Sequence, residues 1–413
     1  MIRSLIRISA RNVVRNTRRS LITALAVLIG CFFIIMARGI LNGLQNGMIA
    51  AFTETQAGDV QLHRAGYLEA VEAFPLDRSF ELGERVERLL DGVDGVRAYA
   101  GRILFTGMVS NGEDTTLFVG MGVDPENEYR VCPRNRRNVL PGGTALRPDA
   151  PRGVVIGKAL ARSLGAEVGS ELTLLVTPRP GGISGMDVTV VGVAEFKIPG
   201  VGNRVIHMPL PAAQKLLYMD HDVTEVVIDV EDQRDVEPVC EALRARLDAG
   251  GNELDLEPNT WMDVGQFYVS ANEIQDQVLA YIIAVLFVIM VAGIVNTMLL
   301  SVFERTREIG TLMAIGVKRN RILALFFLES LILSAVGAVA GVVLGAGVVA
   351  VLERTGMPLP AIGNFRGTHI HPSIDPGYLL VVIGVALSAA VVAAIYPAWR
   401  ASRMDPATAL RSI

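Results

Sequence analysis

Catalytic motifs are what this sequence lacks. No glycine-rich turn ends in Gly-Lys-Ser/Thr; the one Gly-Lys pair, Gly157–Lys158, runs into Ala159. Backbone amides and a lysine therefore have no loop in which to hold phosphates together. A nucleophile elbow, a His-Glu-x-x-His helix and a Cys-x-x-Cys pair are also missing. The five histidines are scattered. His369 and His371 alternate but have no third ligand in view, so they read as a solvated loop and no metal is expected. A basic, aromatic surface for nucleic acid is absent as well, because the polar part of the chain is acidic.

What the sequence has is long apolar runs. Only a bilayer asks for runs of about 20 apolar residues, since a helix rising 1.5 Å per residue must cross ~30 Å of hydrocarbon. Four such runs stand at residues 21–40, 278–300, 322–352 and 378–396. Between the first two lies a polar stretch, 41–277, large enough for one or two domains. The first run is too long for a signal-peptide core and no small-residue cleavage pattern follows it, so it reads as a retained anchor. The expected fold is thus an α-helical membrane protein of four spans with a large α/β domain outside.

Sidedness follows from the short flanks. Residues 1–20 carry Arg3, Arg7, Arg11, Arg15, Arg18 and Arg19 with no acid, a net +6. The loop 301–321 has five basic residues against Glu304 and Glu308, or +3, and the tail 397–413 has three against Asp405, or +2. Region 41–277 has 21 basic and 36 acidic residues, or −15. Both termini and the 301–321 loop are expected in the cytoplasm, with 41–277 and the 353–377 loop outside. The N-terminal arginines recur every three or four residues. They fit an interfacial helix over 1–20 leading into the first span, a reading compatible with a plain positive-inside flank.

The external region reads as soluble α/β. Phe80–Leu90 and Asp235–Leu247 have helical periodicity, and Gly153–Leu164 pairs a short strand with a helix. Asp187–Val193 and Thr224–Val230 alternate and are β-branched, as strands require. Thr177–Gly185 is a Pro/Gly loop and Pro133–Pro151 a connector. The expectation is two α/β halves separated by a β-rich insert. Of the three cysteines, Cys31 lies in the first span and serves packing. Cys132 and Cys240 are external, where oxidation is allowed. They are either a disulfide closing a long loop or two separate buried thiols.

Inside the spans ionisable residues are nearly missing. Glu329 lies about two turns into the third, and a carboxylate there needs a partner, a cytoplasmic-side arginine or another subunit. Gly337, Gly341 and Gly345 repeat at four-residue intervals and allow a second helix to approach closely. Four spans make a thin bundle with no polar pore in view. After the second span comes Glu304-Arg-Thr-Arg-Glu-Ile-Gly-Thr-Leu-Met-Ala-Ile-Gly316, short, charged and helical in spacing. It reads either as an ordinary interfacial loop or as a coupling helix that docks in a cytoplasmic partner. On the second reading Glu304, Arg305, Arg307 and Glu308 make charged contacts and Ile309, Leu312 and Met313 fill a groove. Gly310 and Gly316 then permit close approach and end a helix of ~20 Å.

The run Asn296-Thr-Met-Leu-Leu-Ser-Val-Phe-Glu-Arg-Thr-Arg-Glu-Ile-Gly310 resembles the signature of FtsX-like permeases of ABC transporters. So does the tail Tyr396-Pro-Ala-Trp-Arg-Ala-Ser-Arg-Met-Asp-Pro-Ala-Thr-Ala-Leu-Arg411. The stretch Gly153–Thr173 is similar to MacB-type periplasmic domains. Arg11–Ser20 and Thr55–Tyr67 look most like lipoprotein-releasing LolC/LolE-type permeases. The resemblance implies a bacterial inner-membrane permease that is not itself an enzyme and binds no cofactor. Its expected partners are a second permease subunit, in a homo- or heterodimer, and two copies of a separate ATPase that carries ATP and Mg. It also implies a periplasmic MacB-type domain of two subdomains, lipoprotein cargo passed to a periplasmic carrier, and contact with membrane lipid. The chain opens on the Arg-rich segment, so the ATPase is expected on another polypeptide. The alternatives are MacB-like efflux with an adaptor and outer-membrane duct, and an FtsX-like scaffold that controls cell-wall hydrolases. If acyl chains leave the bilayer, the apolar stripe Met36, Ile40, Leu44, Met48, Phe52, with Phe267, Tyr268 and Ile274, is either their cradle or domain packing.

Overall fold

The structure, a computed structural model, describes Ser9, Arg11, Arg15 and residues 17–196, 204–315, 317–358 and 369–403. The expected interfacial helix at 1–20 lies largely outside these. Two compact units emerge, one from residues up to Gly47 together with Ala271 onward, the other Met48–Ser270.

The first unit contains four helices long and apolar enough to cross a membrane. The helices are Thr17–Phe52, Gln266–Glu304, Arg319–Thr355 and Pro376–Ser402, called spans one to four below. The chain passes between units inside spans one and two. Side chains without bulk decide the packing. A Cβ at Gly337 would stand 2.5 Å from the Ala24 carbonyl oxygen, one at Gly341 2.5 Å from that of Leu28, and one at Gly345 3.0 Å from Ile35. The glycine repeat of span three is therefore the seat of span one. Span four packs through buried Ala386, Ala389, Ala390, Ala393 and Ala394, and the Ser330 hydroxyl donates to the Ala390 carbonyl at 3.1 Å. Cys31 is buried in this core.

The second unit is built on one nine-stranded sheet. Its strands are β1 Val60–Arg64, β2 Phe80–Glu81, β3 Val96–Ser110, β4 Thr115–Val123, β5 Gly153–Gly157, β6 Glu171–Val176, β7 Ser184–Ala194, β8 Val205–Pro209, β9 Asp222–Val223, β10 Glu225–Val230 and β11 Leu256–Thr260. The order β11-β1-β10-β3-β4-β8-β5-β7-β6 leaves out the small β2–β9 pair, and β6 pairs back onto β3. Strands β3-β4-β8-β5-β7-β6 thus close a six-stranded ring, while β11-β1-β10-β3 form an open antiparallel sheet. The halves are not separated by an insert, as the sequence reading has it. They share β3, whose 15 residues reach from one into the other. Helices α1 Glu84–Asp91 and α6 Val236–Ala249 cover the open sheet, with α2 Pro125–Val131 and α3 Pro133–Arg137 after β4. Helices α4 Lys158–Ser163 and α5 Leu210–Leu217 pack against the ring.

Two local expectations change. The helix read over Phe80–Leu90 starts only at Glu84, because Phe80 pairs with Val223 as a buried strand residue and Gly83 intervenes. The Pro133–Pro151 connector opens with α3, whose proline sits in the first turn where no amide is needed. Cys132 and Cys240 are free thiols in different hydrophobic clusters. Cys132 Sγ lies 3.0 Å from Arg102 Nη2, and Cys240 Sγ lies 3.5 Å from the Pro258 carbonyl. The disulfide reading is therefore corrected to two buried thiols.

Candidate coupling site

The connection between spans two and three is an elbow. Span two ends at Glu304. Arg305 leaves helical geometry (φ −101°, ψ 13°), and a separate nine-residue helix, Thr306–Ala314, follows. At 1.5 Å per residue it is about 14 Å long. The continuous ~20 Å helix expected over 304–316 is thus interrupted, and Gly316 lies outside the described residues. The break has a cause. Arg305 Nη1 reaches the buried Glu329 Oε2 at 3.3 Å and its Nε reaches Glu308 Oε2 at 2.9 Å. The first contact gives the carboxylate of span three an arginine partner from the connection between spans two and three. Glu308 also accepts from Arg15 Nη2 at 2.6 Å, and its carboxyl is held below the usual range by the bonds from Arg305 and Arg15.

The elbow helix has two faces. Ile309 is 4% exposed and belongs to the spans' hydrophobic core with Val302, Ile322 and Phe326; Gly310 is buried too, and Met313 packs partly against that core. Leu312 and Ile315 are 41% and 76% exposed, and Arg307 is exposed as well. Arg305, Glu308 and Ile309, expected to face a partner, are thus engaged within the chain. Leu312, Ile315 and Arg307 stand exposed.

In the second unit, the residues after span one form a π-helical turn, Thr53–Ala57. The Thr53, Thr55 and Gln56 carbonyls of this turn each accept from a side chain. Arg102 of β3 is fully buried. Its Nε and Nη2 form a fork onto Glu128 of α2 at 2.7 and 2.8 Å, and its Nη1 donates to the Gln56 carbonyl. Asn135 Nδ2 donates to the Thr55 carbonyl at 2.9 Å and to Glu128 Oε1 at 2.7 Å. Cys132 Sγ donates to the Thr53 carbonyl at 3.3 Å. Arg134 Nε grips Glu54 Oε2 at 2.6 Å. Burial alone disfavours the guanidinium, but Glu128, with Glu225 3.5 Å away, more than offsets it and keeps Arg102 charged. Burial pushes the Cys132 thiol up to about 12, so it remains a neutral donor. Four consecutive residues, Thr53 to Gln56, are thereby clasped.

Nearby, Phe52 stacks on Tyr268 with ring centroids 4.5 Å apart, in a cluster with Ala57, Met48, Trp261 and Val264. Phe52 and Tyr268 therefore bury each other and offer no free cradle. Met36 packs against the spans' core, Ile40 and Leu44 are half-buried, and Ile274 is exposed. The Phe267 side chain lies outside the described residues. The sequence reading missed the clasp. Its one visible signal was an arginine within the apolar strand Gly101-Arg-Ile-Leu-Phe105.

Two family models match the chain. The FtsX-like permease C-terminal model covers residues 280–406, and the MacB-like periplasmic core domain model covers 20–246. The chain belongs to this FtsX-like, MacB-type permease family. It is 26% identical over 428 residues to the macrolide export ATP-binding/permease protein MacB of Hyphomonas neptunium, covering 98% of this chain and 60% of that one. It is 25% identical over 275 residues to the lipoprotein-releasing system transmembrane protein LolC of Neisseria meningitidis serogroup B, covering 62% of this chain and 64% of that one. The match to MacB of Brucella abortus spans only 38% of that protein's length. The solved periplasmic region of MacB from Actinobacillus actinomycetemcomitans overlays 52% of this permease and 94% of that domain, at 10% identity and a TM-score of 0.37.

Proposed function

We propose that this chain is the membrane-spanning subunit of an ABC transporter of the bacterial inner membrane, with the MacB-like domain periplasmic and both termini cytoplasmic. A separate ATPase, holding ATP and Mg, docks on the exposed face of the elbow helix. Two permease subunits and two ATPase copies make the working complex. When the ATPases close, the elbow moves. Span one, held to span three through the glycine seat, carries the displacement to its far end, where the clasp passes it to the core domain. The observation that carries this reading is the clasp itself. A buried, charged network on four successive residues after a 36-residue helix supports transmission of force from that helix to the domain.

The favoured cargo is lipoprotein drawn from the outer leaflet for a periplasmic carrier, supported by the likeness to LolC. Efflux of a small molecule through an adaptor and duct is the second reading, favoured by the near full-length match to MacB. Purification with the ATPase in native lipid tests both. Co-purifying lipoproteins that stimulate ATP hydrolysis support the first, and stimulation by macrolides without them supports the second. Leu312→Asp and Ile315→Asp should abolish ATPase co-purification while the chain still inserts. Normal assembly of both variants overturns the docking face.

A further inference from the structure

Strand β3 is paired on both sides only along part of its length. Along Val96–Arg102 it pairs with β10, but the β4 ladder starts at Arg102–Val123, and after Val123 the chain turns into α2. Among the described residues no strand occupies β4's lane beside Val96–Ala100. A groove of about 520 Å³ runs there, walled by Leu82, Leu90 and Val93 on one side and Asp124, Asn127 and Arg130 on the other. Its floor is every residue from Val96 to Gly101. Successive residues of a strand face opposite sides of a sheet, so a groove lined by all six follows the strand's edge.

The backbone polarity of that edge can be worked out. The Ile228 carbonyl accepts the Asp59 amide at 2.8 Å, toward β1. Ile228 thus faces away from β3, and the ladder bonds fall on its neighbours Val227 and Asp229, opposite Ala100 and Ala98. Tyr99, opposite Ile228, therefore turns its N–H and C=O into the groove. Such groups are rarely left without a partner. The Tyr99 hydroxyl bonds Asp91 Oδ1 at 3.3 Å, and burial, then Asp91 and Glu87, raise its pKa, so one rim is acidic.

We propose that this groove is a docking site for an extended segment of a partner polypeptide, which adds a strand beside Val96–Ala100 by main-chain hydrogen bonds. The open lane is one strand wide and continues that of β4. Half-buried Leu82 meets an apolar side chain of the segment, and the exposed Glu87 and Asp91 favour a basic residue in it. The inference stands whatever the transporter's cargo.

The test is selection of a randomised eight-residue peptide library on the full chain in nanodiscs. Enriched peptides are then bound to Tyr99→Ala and Tyr99→Pro variants. Both lose the ring, and only proline loses the outward N–H, which no internal ladder uses. The expected result is that enriched peptides carry a basic residue, bind Tyr99→Ala, and lose at least tenfold affinity for Tyr99→Pro and on N-methylation of their own backbone. Hydrogen exchange at β10, as in the parent chain, checks that both variants are folded. No enrichment, or equal binding to both variants and to N-methylated peptide, overturns the proposal.

Discussion

Removing the guanidinium at Arg102 exposes the logic of the clasp. In Arg102→Met the Glu128 carboxylate, fully buried, loses both prongs of its fork, and the Gln56 carbonyl loses its donor. Breaking a buried ion pair from one side costs about 3–5 kcal/mol, mostly through the charge left behind. That is a large share of the ~5–15 kcal/mol that holds a typical domain folded. Glu128→Leu alone should cost less, because Arg102 keeps Glu225 and the Gln56 carbonyl, and the Asn135 amide keeps the Thr55 carbonyl. The double variant Arg102→Met/Glu128→Leu leaves only Glu225 of this network without its arginine, so it should recover part of either loss. Guanidinium unfolding in detergent, followed by Trp261 fluorescence with Trp399 replaced, gives the three values. Hydrogen exchange across residues 53–58 reports the clasp directly and should accelerate even in the double variant. A single-variant loss below about 1 kcal/mol, or a double loss equal to the sum of the singles, would refute the reasoning.

Three further outcomes follow from the geometry. Gly341→Leu should prevent spans one and three from seating, since even its Cβ would meet the Leu28 carbonyl, whereas Gly384→Ala, with nothing within 4 Å, should be neutral; size-exclusion profiles in detergent separate the two. Burial, then the neighbouring Asp59, pushes the Asp229 carboxyl up to about 6 from its ordinary 3.8, against the pull of Arg97. The folded domain therefore takes up a proton more readily than the unfolded chain. The resulting stability is fully present below about pH 3.8 and is lost as pH rises through 6; Asp229→Asn should flatten melting temperature against pH across that window, and an unchanged slope would assign it to other groups. Cys132 and Cys240 should both map as free thiols under non-reducing conditions and react with maleimide only on unfolding; a Cys132–Cys240 peptide would contradict the two separate environments.

The membrane part of this protein was legible because its causes are local. A run of apolar residues must become a spanning helix in lipid, and three glycines at four-residue spacing must lie on one side of it. The need of Glu329 for a partner was likewise readable, because a carboxylate within a spanning helix has few ways to be satisfied. Contacts set by distant parts of the chain were not. That Arg305 would be the residue to reach Glu329, and so break the elbow helix, depends on how span three returns beside span two. Ile309 had the spacing of a docking residue, and only packing placed it inside the core. Phe52 and Tyr268 are more than 200 residues apart in sequence, and stack only because β1 and β11, which follow and precede them, are neighbours in the sheet. The clasp belongs to the same class. Arg102, Glu128, Asn135 and the Thr53–Ala57 turn come from four elements, and β3 is the strand that brings them together. Periodicity and composition report the face a residue prefers. Which partner waits on that face is a property of the sheet order, and that is fixed only when the whole chain has folded.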